Sequence, residues 1–211
     1  MNVMIGNEMC LLLGEKAVYW ERENILFLAD IHLGKAAAFR GNGVFIPEGT
    51  MDADLANVQF LIEKFKPTSC IIVGDLIHSN LSWTTEVKRK IGEWLKNCPV
   101  EVHLVLGNHD KSLLKNIDPK WPLKVHDELL IEPFLFSHYP KECLPWFVWA
   151  GHLHPKIEIK NGHDRLVLRC FQVFENYAIL PTFSDFAGGS FVNKTPSNRI
   201  FAIANTTVVE I

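Results

Sequence analysis

The sequence predicts an α/β fold in which buried strands alternate with amphipathic helices and a second, largely antiparallel sheet follows. Short apolar runs recur along the chain, as is typical of strands that are buried on both faces. Two segments between these runs repeat apolar residues at helical spacing. After residue 121 the apolar stretches follow one another with little room for helices, which indicates a second sheet packed on the first.

The N-terminal part of the chain is predicted to contain three strands and a long loop. Residues 9–13 and 17–20 are expected to be strands joined by a short turn, and residues 25–29 form the next strand. Residues 34–49 contain four Gly, one Pro and only scattered apolar residues, which predicts a long loop. Loops of this length in compact domains are often functional.

Two amphipathic helices are predicted in the middle of the chain. Residues 51–65 carry apolar side chains at helical spacing, and Pro67 ends this helix. Residues 87–95 show the same pattern before Pro99. One apolar run lies between the two helices and another follows the second, so strands and helices alternate as they do in α/β proteins.

The second half of the chain is predicted to consist mainly of strands. They are expected at residues 129–131, 134–137, 147–150, 156–160, 166–174, 177–180, 200–204 and 207–211. The chain shows no internal repeat, low-complexity tract or linker, so we expect a single domain spanning residues 1–211.

The composition restricts the class of function and the compartment. A net charge of -3 argues against long, sequence-blind wrapping of nucleic acid, although a local basic patch is compatible with it. The five Cys are an odd number without a CxxC pair, which favours a reducing compartment. No apolar run approaches membrane-spanning length, so we expect a cytoplasmic protein without a membrane partner.

Five of the apolar runs end in residues that commonly bind metal ions. In chain order, the residues that follow these runs are Asp30 and His32, Asp75, Asn108 with His109 and Asp110, His138, and His152 with His154. Ligands of open α/β sheets gather beyond the carboxyl ends of the strands. Five such strands side by side would bring these side chains to one rim, and we predict a site for two metal ions there.

The predicted ligands suit particular metals and a particular reaction. A mixture of carboxylate, amide oxygen and imidazole without thiolate fits Mn²⁺, Fe or Zn²⁺ better than Ca²⁺, and Mn²⁺ is our first choice. Two cations roughly 3.5–4 Å apart can hold a water or hydroxide between them and clamp the oxygens of a phosphoryl group. A carboxylate must bridge ions that lie so close together, and Asp75 is the candidate.

The five motifs resemble, in order, the sequence blocks of the calcineurin-like metallophosphoesterase superfamily. This resemblance implies a four-layer α/β/β/α sandwich with a dinuclear metal site. Carried over by motif, the first metal binds Asp30, His32 and His154, the second binds Asn108, His138 and His152, and Asp75 bridges them. His109 would then be free of metal and face the substrate, where an imidazole can protonate the leaving oxygen.

A narrower resemblance covers more of the chain. Residues 29–35, 39–40, 46–49 and 74–79 are similar to the bacterial ligase-associated DNA damage response phosphoesterases, as is the tail from Arg169 to Gly189. The tail departs from that family at Ser184 and Ala187. The resemblance implies an endonuclease that acts on DNA and a functional link to a DNA ligase and a DEXH-box helicase.

Three residues outside the metal motifs are candidate substrate ligands. Lys35 and Arg40, with Phe39 between them, lie in the predicted loop and suit a phosphodiester backbone and a stacked base, although solvated surface cations are an equal alternative. His78 follows Asp75 closely, so it either contacts substrate or makes a hydrogen bond at the start of a helix.

The predicted function is hydrolysis of nucleic-acid phosphodiesters in DNA repair, by a hydroxide held between the metals with His109 assisting. One alternative is a phosphodiesterase of a small nucleotide or a nucleotide sugar. A scaffold with a relict site is disfavoured because every ligand position is filled. A protein phosphatase is also disfavoured, because the chain reads Leu76-Ile77-His78 where that family carries Asp-Arg-Gly.

Overall fold

The computed structural model describes residues 1–35, 49–112, 117–162 and 164–211 of the chain. These residues form two β-sheets that pack face to face. Within them, no helix is both long enough and apolar enough to cross a lipid bilayer. Part of the predicted loop, residues 36–48, lies outside the described residues.

The first sheet is mixed, and its strands follow one another in sequence order. Its strands are β1 (Asn2–Ile5), β2 (Glu8–Leu12), β3 (Ala17–Trp20), β4 (Ile25–Ala29), β5 (Ser69–Val73), β6 (Glu101–Val105) and β7 (Leu123–His126). The strands from β1 to β4 are antiparallel, as their short connections require, and those from β4 to β7 are parallel.

The second sheet is also mixed. Its strands are β8 (Leu129–Ile131), β9 (Phe134–Ser137), β10 (Phe147–Ala150), β11 (Lys156–Asn161), β12 (Asp164–Val173), β13 (Tyr177–Ile179), β14 (Phe191–Val192), β15 (Arg199–Ala204) and β16 (Thr207–Glu210). The order is β14-β11-β12-β13-β10-β9-β8, and β15 pairs with β12 and β16. Antiparallel pairing predominates as predicted, but β9, β10 and β13 are parallel to one another.

Aromatic side chains from both sheets fill the space between them. Phe27 on β4 lies with its ring centroid 5.1 Å from that of Phe136 on β9 and 4.9 Å from that of Trp149 on β10. Trp20 packs on Phe134 at 4.5 Å. Because each buried aromatic side chain contributes roughly 1.5–3 kcal/mol, this core holds the two sheets in a fixed relative position.

The helices of the described residues accompany the first sheet. They are α1 (Thr50–Phe65), α2 (Thr85–Asn97) and the single turn α3 (Asn108–Lys111), with a short 3-10 helix at Asn80–Ser82 before α2. Apolar side chains of α1 and α2 pack on the face of the first sheet that points away from the second. The Thr84 hydroxyl accepts a hydrogen bond from the Val87 N–H and caps α2. The predicted α/β sandwich of two mixed sheets is confirmed, but the described residues place no helix layer on the outer face of the second sheet, where the four-layer prediction expects one.

The structure differs from the sequence-based expectation in two respects. Strands β1, β7 and β14 were not predicted, because they are short and partly exposed. The five strands that end in ligand motifs also do not lie side by side in one sheet. Three of them (β4, β5 and β6) are neighbours in the first sheet, and two (β9 and β10) are neighbours in the second.

Candidate metal centre

The carboxyl ends of the five motif strands meet at one rim of the sandwich. Hydrogen bonds between the segment after β13 and the end of β4 join the two sheets at this rim. The Thr182 hydroxyl donates to the Asp30 carbonyl at 2.9 Å, and the Phe183 N–H donates to the Ala29 carbonyl at 2.8 Å. Residues contributed by both sheets therefore face a common site.

Asp30, His32 and His154 form a first group of candidate ligands. Their ligand atoms all lie within 4.8 Å of one another. The Nε2 atoms of His32 and His154 face each other at 3.3 Å, and Asp30 Oδ2 lies 3.4 Å from His154 Nε2. The structure brings this predicted triad together from β4 and β10.

Asp75, His138 and His152 form a second group, and Asn108 adjoins it. Nε2 of His138 lies 3.7 Å from Asp75 Oδ2, 3.1 Å from Nδ1 of His152 and 3.0 Å from the amide oxygen of Asn108. This group collects residues from β5, β6, β9 and β10. The two groups are adjacent, because Nδ1 of His138 lies 3.7 Å from Oδ1 of Asp30.

The backbone around the site adopts conformations that are costly elsewhere. Five of the seven predicted ligands hold a positive φ, namely Asp30, His32, Asp75, His152 and His154. Each such non-glycine residue costs on the order of 1–3 kcal/mol, and residues of this kind cluster at functional sites. Surrounding structure holds them: Asp30 Oδ2, for example, accepts the backbone N–H of His152 at 2.8 Å.

Glycine directly precedes Asp75, Asn108 and His152, because a side chain at these positions would collide with a ligand from another strand. A Cβ on Gly74, whose φ is +82, would lie 1.8 Å from Nδ1 of His138. A Cβ on Gly107 would lie 2.0 Å from Oδ1 of Asp75. The Gly-Asp and Gly-Asn motifs thus combine a ligand with the open space that lets a ligand from another strand approach.

The chemistry of the donor atoms fits a pair of divalent cations. Asp30 is fully buried, and its Oδ1 accepts no hydrogen bond among the described residues. Burial raises the pKa of Asp75 to about 8 and lowers the pKa of His32 to about 2, so the metal-free site favours neutral forms. Cations would offset the burial of both carboxylates, and neutral imidazoles are the form that binds metal.

Comparison with known proteins identifies the family. The Calcineurin-like phosphoesterase family matches residues 23–200 of the chain. The chain belongs to this family. The crystal structure of the Pseudomonas putida nuclease MPE aligns with a TM-score of 0.84 and 29% identity, over 100% of this chain and 99% of that one. The E. coli phosphoesterase Yfce aligns with a TM-score of 0.46 and 15% identity, over 89% and 97% of the two chains.

No curated protein matches this phosphoesterase in sequence. Family membership and the two groups of Asp and His side chains agree on the type of chemistry. The protein is a metal-dependent phosphoesterase, and the resemblance inferred from the five motifs to the calcineurin-like superfamily is confirmed at the level of the family.

His109 and His78 lie beside the metal groups of the phosphoesterase. Together with His32 they form a third group whose nitrogens lie within 4.8 Å of one another. The ring centroids of His78 and His109 are 5.4 Å apart, and His109 is about one-third exposed. Burial is the main cause that lowers the pKa of both, to about 4 for His78, and the Lys35 ammonium adds to this effect.

Of the two predicted loop cations, only Lys35 lies within the described residues, and Arg40 lies outside them. Burial lowers the pKa of Lys35, the Arg169 guanidinium lowers it further, and Asp75 raises it. The Lys35 side chain is half-buried, and its backbone N–H donates to the carbonyl of His32 at 3.2 Å, so Lys35 stays a candidate substrate ligand beside the site.

Asp110 has a structural role that its position in the motif did not reveal. Its buried carboxylate accepts hydrogen bonds from the backbone N–H groups of Gly107, Leu76 and Ile77, at 3.1–3.3 Å. These bonds tie the loop after β5 to the loop after β6. The carboxylate thereby fixes the relative position of the segments that carry Asp75 and Asn108.

Tyr139 also escaped the sequence analysis. It follows His138 directly, and its ring packs against His138 and His152 at centroid distances of 4.9 and 4.7 Å. Its side chain is partly exposed at the rim. The signal that could have pointed to it was an aromatic residue immediately after a ligand histidine, at the end of a buried strand.

Proposed function

We propose that this phosphoesterase is a nuclease that hydrolyses the phosphodiester backbone of DNA. The observation that carries the proposal is the end-to-end structural similarity to the P. putida nuclease MPE. The two imidazoles of His78 and His109 beside the predicted ligands give additional support, because they offer donors at the position where a leaving oxygen would need a proton.

Two divalent cations, with Mn²⁺ as the proposed metal and Fe or Zn²⁺ as alternatives, would bind the seven predicted ligands. Asp30, His32 and His154 would hold one ion, and Asn108, His138 and His152 the other, with Asp75 shared between them. Bound cations of this kind supply Lewis acidity toward phosphoryl oxygens and activate water as a nucleophile.

The remaining side chains would position the phosphodiester and move a proton. The Lys35 ammonium would contact a non-bridging oxygen of the phosphate, since it is half-buried within range of Asp75. Nε2 of His109, which lies 3.9 Å from Asp75 Oδ2, would donate a proton to the leaving oxygen. His78, whose ring lies next to that of His109, would contact the same phosphate.

A direct experiment tests the substrate class. The protein is loaded with Mn²⁺ and assayed on bis-p-nitrophenyl phosphate, on single-stranded and double-stranded DNA, and on cyclic and sugar-linked nucleotides. We expect metal-dependent turnover of the model diester and cleavage of at least one DNA substrate. Turnover of the small nucleotides with intact DNA would instead establish the small-substrate alternative, and no turnover of any diester would refute the proposal.

We also propose a setting for this activity, namely DNA repair in the cytoplasm alongside a DNA ligase and a DEXH-box helicase. The resemblance of residues 29–35 and 74–79 to the ligase-associated phosphoesterases supports it. All five cysteines are free thiols, which agrees with a reducing compartment. The identity of the neighbouring genes tests this link, and we expect a ligase or helicase gene next to the coding sequence.

A further inference from the structure

A face of the second sheet next to the candidate metal centre concentrates positive charge. On paired strands, directly opposite residues point to the same side, so β11 and β12 present one continuous face. The residues on this face are Lys156, Glu158 and Lys160 of β11 and Arg165, Val167 and Arg169 of β12. Four cations face one carboxylate, which is that of Glu158 and pairs with Lys160 at 2.8 Å and with Arg165. The face therefore keeps an excess of positive charge in a chain whose net charge is -3.

An exposed aromatic ring belongs to the same face. Phe191 on β14 is paired with Lys156, and 57% of its surface is accessible. The Lys156 ammonium lies 5.4 Å from the centroid of its ring, and the Arg165 guanidinium lies 5.8 Å from it. More than half of the surface of Phe191 is exposed, and this exposed part of its ring is available for a planar partner.

The face that contains Phe191 is continuous with the candidate metal centre. The segment that leads to Phe191 runs alongside the segment that follows His154: the Ser190 N–H donates to the Leu153 carbonyl, and the Lys156 N–H donates to the Ser190 carbonyl. Nδ1 of His154 also lies 3.2 Å from the Gly188 carbonyl. A chain molecule bound at the metals can therefore extend directly onto this face.

We propose that Phe191, Lys156 and Arg165 form a binding surface for a single-stranded nucleic acid that extends from the metal centre. This inference rests on the proposed nuclease function and adds the strand form and the location of the contact. An exposed ring stacks on an unpaired base, and the neighbouring cations contact the phosphates on either side. A base inside a duplex offers no free face, so the surface favours single strands.

Kinetics on two substrates test the role of the ring. The Mn²⁺-loaded Phe191→Ala protein is expected to lose about fivefold or more in kcat/KM on a single-stranded oligonucleotide, which is the loss of one stacked base. Turnover of bis-p-nitrophenyl phosphate should stay within about twofold, because that substrate has no base. Phe191→Tyr should behave like the parent protein, because it keeps the ring.

Phe60→Ala is the matched control. Phe60 on α1 is 52% exposed and has the Lys64 ammonium 5.5 Å from its ring centroid, but it lies on the helix layer. This variant should cleave the oligonucleotide normally. Normal cleavage by Phe191→Ala would refute the proposed binding surface, and so would an equal loss on both substrates. If the parent protein leaves the oligonucleotide intact, the proposed function fails and the surface fails with it.

The salt dependence of cleavage tests the cations separately. Each phosphate contact to a single strand contributes a slope of about -0.7 in log kcat/KM against log salt concentration. The double variant Lys156→Ala, Arg165→Ala should therefore flatten the slope by about 1.4, while Lys64→Ala leaves it unchanged. An unchanged slope in the double variant would show that these cations do not contact the strand.

Discussion

The backbone N–H of His109 donates a hydrogen bond to Oδ1 of Asp75 at 3.0 Å. The residue proposed to bridge the metals thus also holds the residue proposed to donate a proton. Because Asp75 lies at the end of β5 and His109 follows β6, the bond couples two neighbouring strands at the rim. Metal binding and proton donation are therefore expected to depend on one carboxylate.

Asp75→Asn separates these two roles. The amide keeps an oxygen that can accept the His109 N–H, but it lacks the negative charge that holds two cations close together. We expect the variant to bind fewer than two Mn²⁺ per chain and to lose more than about 100-fold in turnover. Metal analysis of the purified protein measures the first effect; two bound ions in the variant would exclude Asp75 as the bridge.

His109→Ala is expected to lose rate without losing metal. A proton donor contributes typically about 10²–10⁴-fold, and this contribution matters when the leaving group is a poor one. The variant should therefore lose cleavage of DNA by at least about 100-fold, yet retain most of its turnover of bis-p-nitrophenyl phosphate, whose leaving group needs no proton. Equal losses on the two substrates, or a loss of bound Mn²⁺, would argue against proton donation.

Gly74→Ala is expected to damage the site, because the new Cβ would lie 1.8 Å from Nδ1 of His138 and the backbone φ is +82. We expect a loss of stability of about 2–4 kcal/mol and weaker metal binding, measured by urea unfolding and metal analysis. Gly188→Ala is the control: its Cβ would meet no atom within 4 Å, and its φ is outside the left-handed region. Equal stability of the two variants would contradict the close-packing argument.

Asp54 is expected to make the folded protein less stable as the pH rises. Burial raises the pKa of this carboxyl to about 7, although the Lys16 ammonium lowers it. Its ordinary value is 3.8, so the folded state binds the proton more tightly than the unfolded state does, and stability declines between about pH 4 and pH 7. Asp54→Asn should remove this decline.

Urea unfolding at two pH values measures the effect. At pH 8 the Asn variant should be more stable than the parent protein by up to about 4 kcal/mol, which corresponds to the shift in pKa. At pH 4 the two proteins should differ little, because the carboxyl is largely protonated in the folded state. A constant difference across this range would show that Asp54 does not ionise as its burial requires.

Much of the fold and nearly all the candidate ligands could be predicted because they depend on local pattern. Buried parallel strands are apolar throughout, and each motif follows its strand directly, so Asp30 and His152 are recognisable from their neighbours in sequence. The two long helices were equally clear from their spacing. The edge strands β1 and β7 were not predicted, because half-exposed strands lack this signal.

Which residues meet depends on the tertiary structure. The chain order does not reveal that His154 from the second sheet faces His32 from the first at 3.3 Å, because this contact depends on how the aromatic core aligns the two sheets. The same holds for Tyr139, whose ring packs on His152. It also holds for Phe191 beside Arg165, because β14 pairs with β11, which is distant in sequence. Sequence motifs encode the ligand types, whereas sheet packing determines the distances between them.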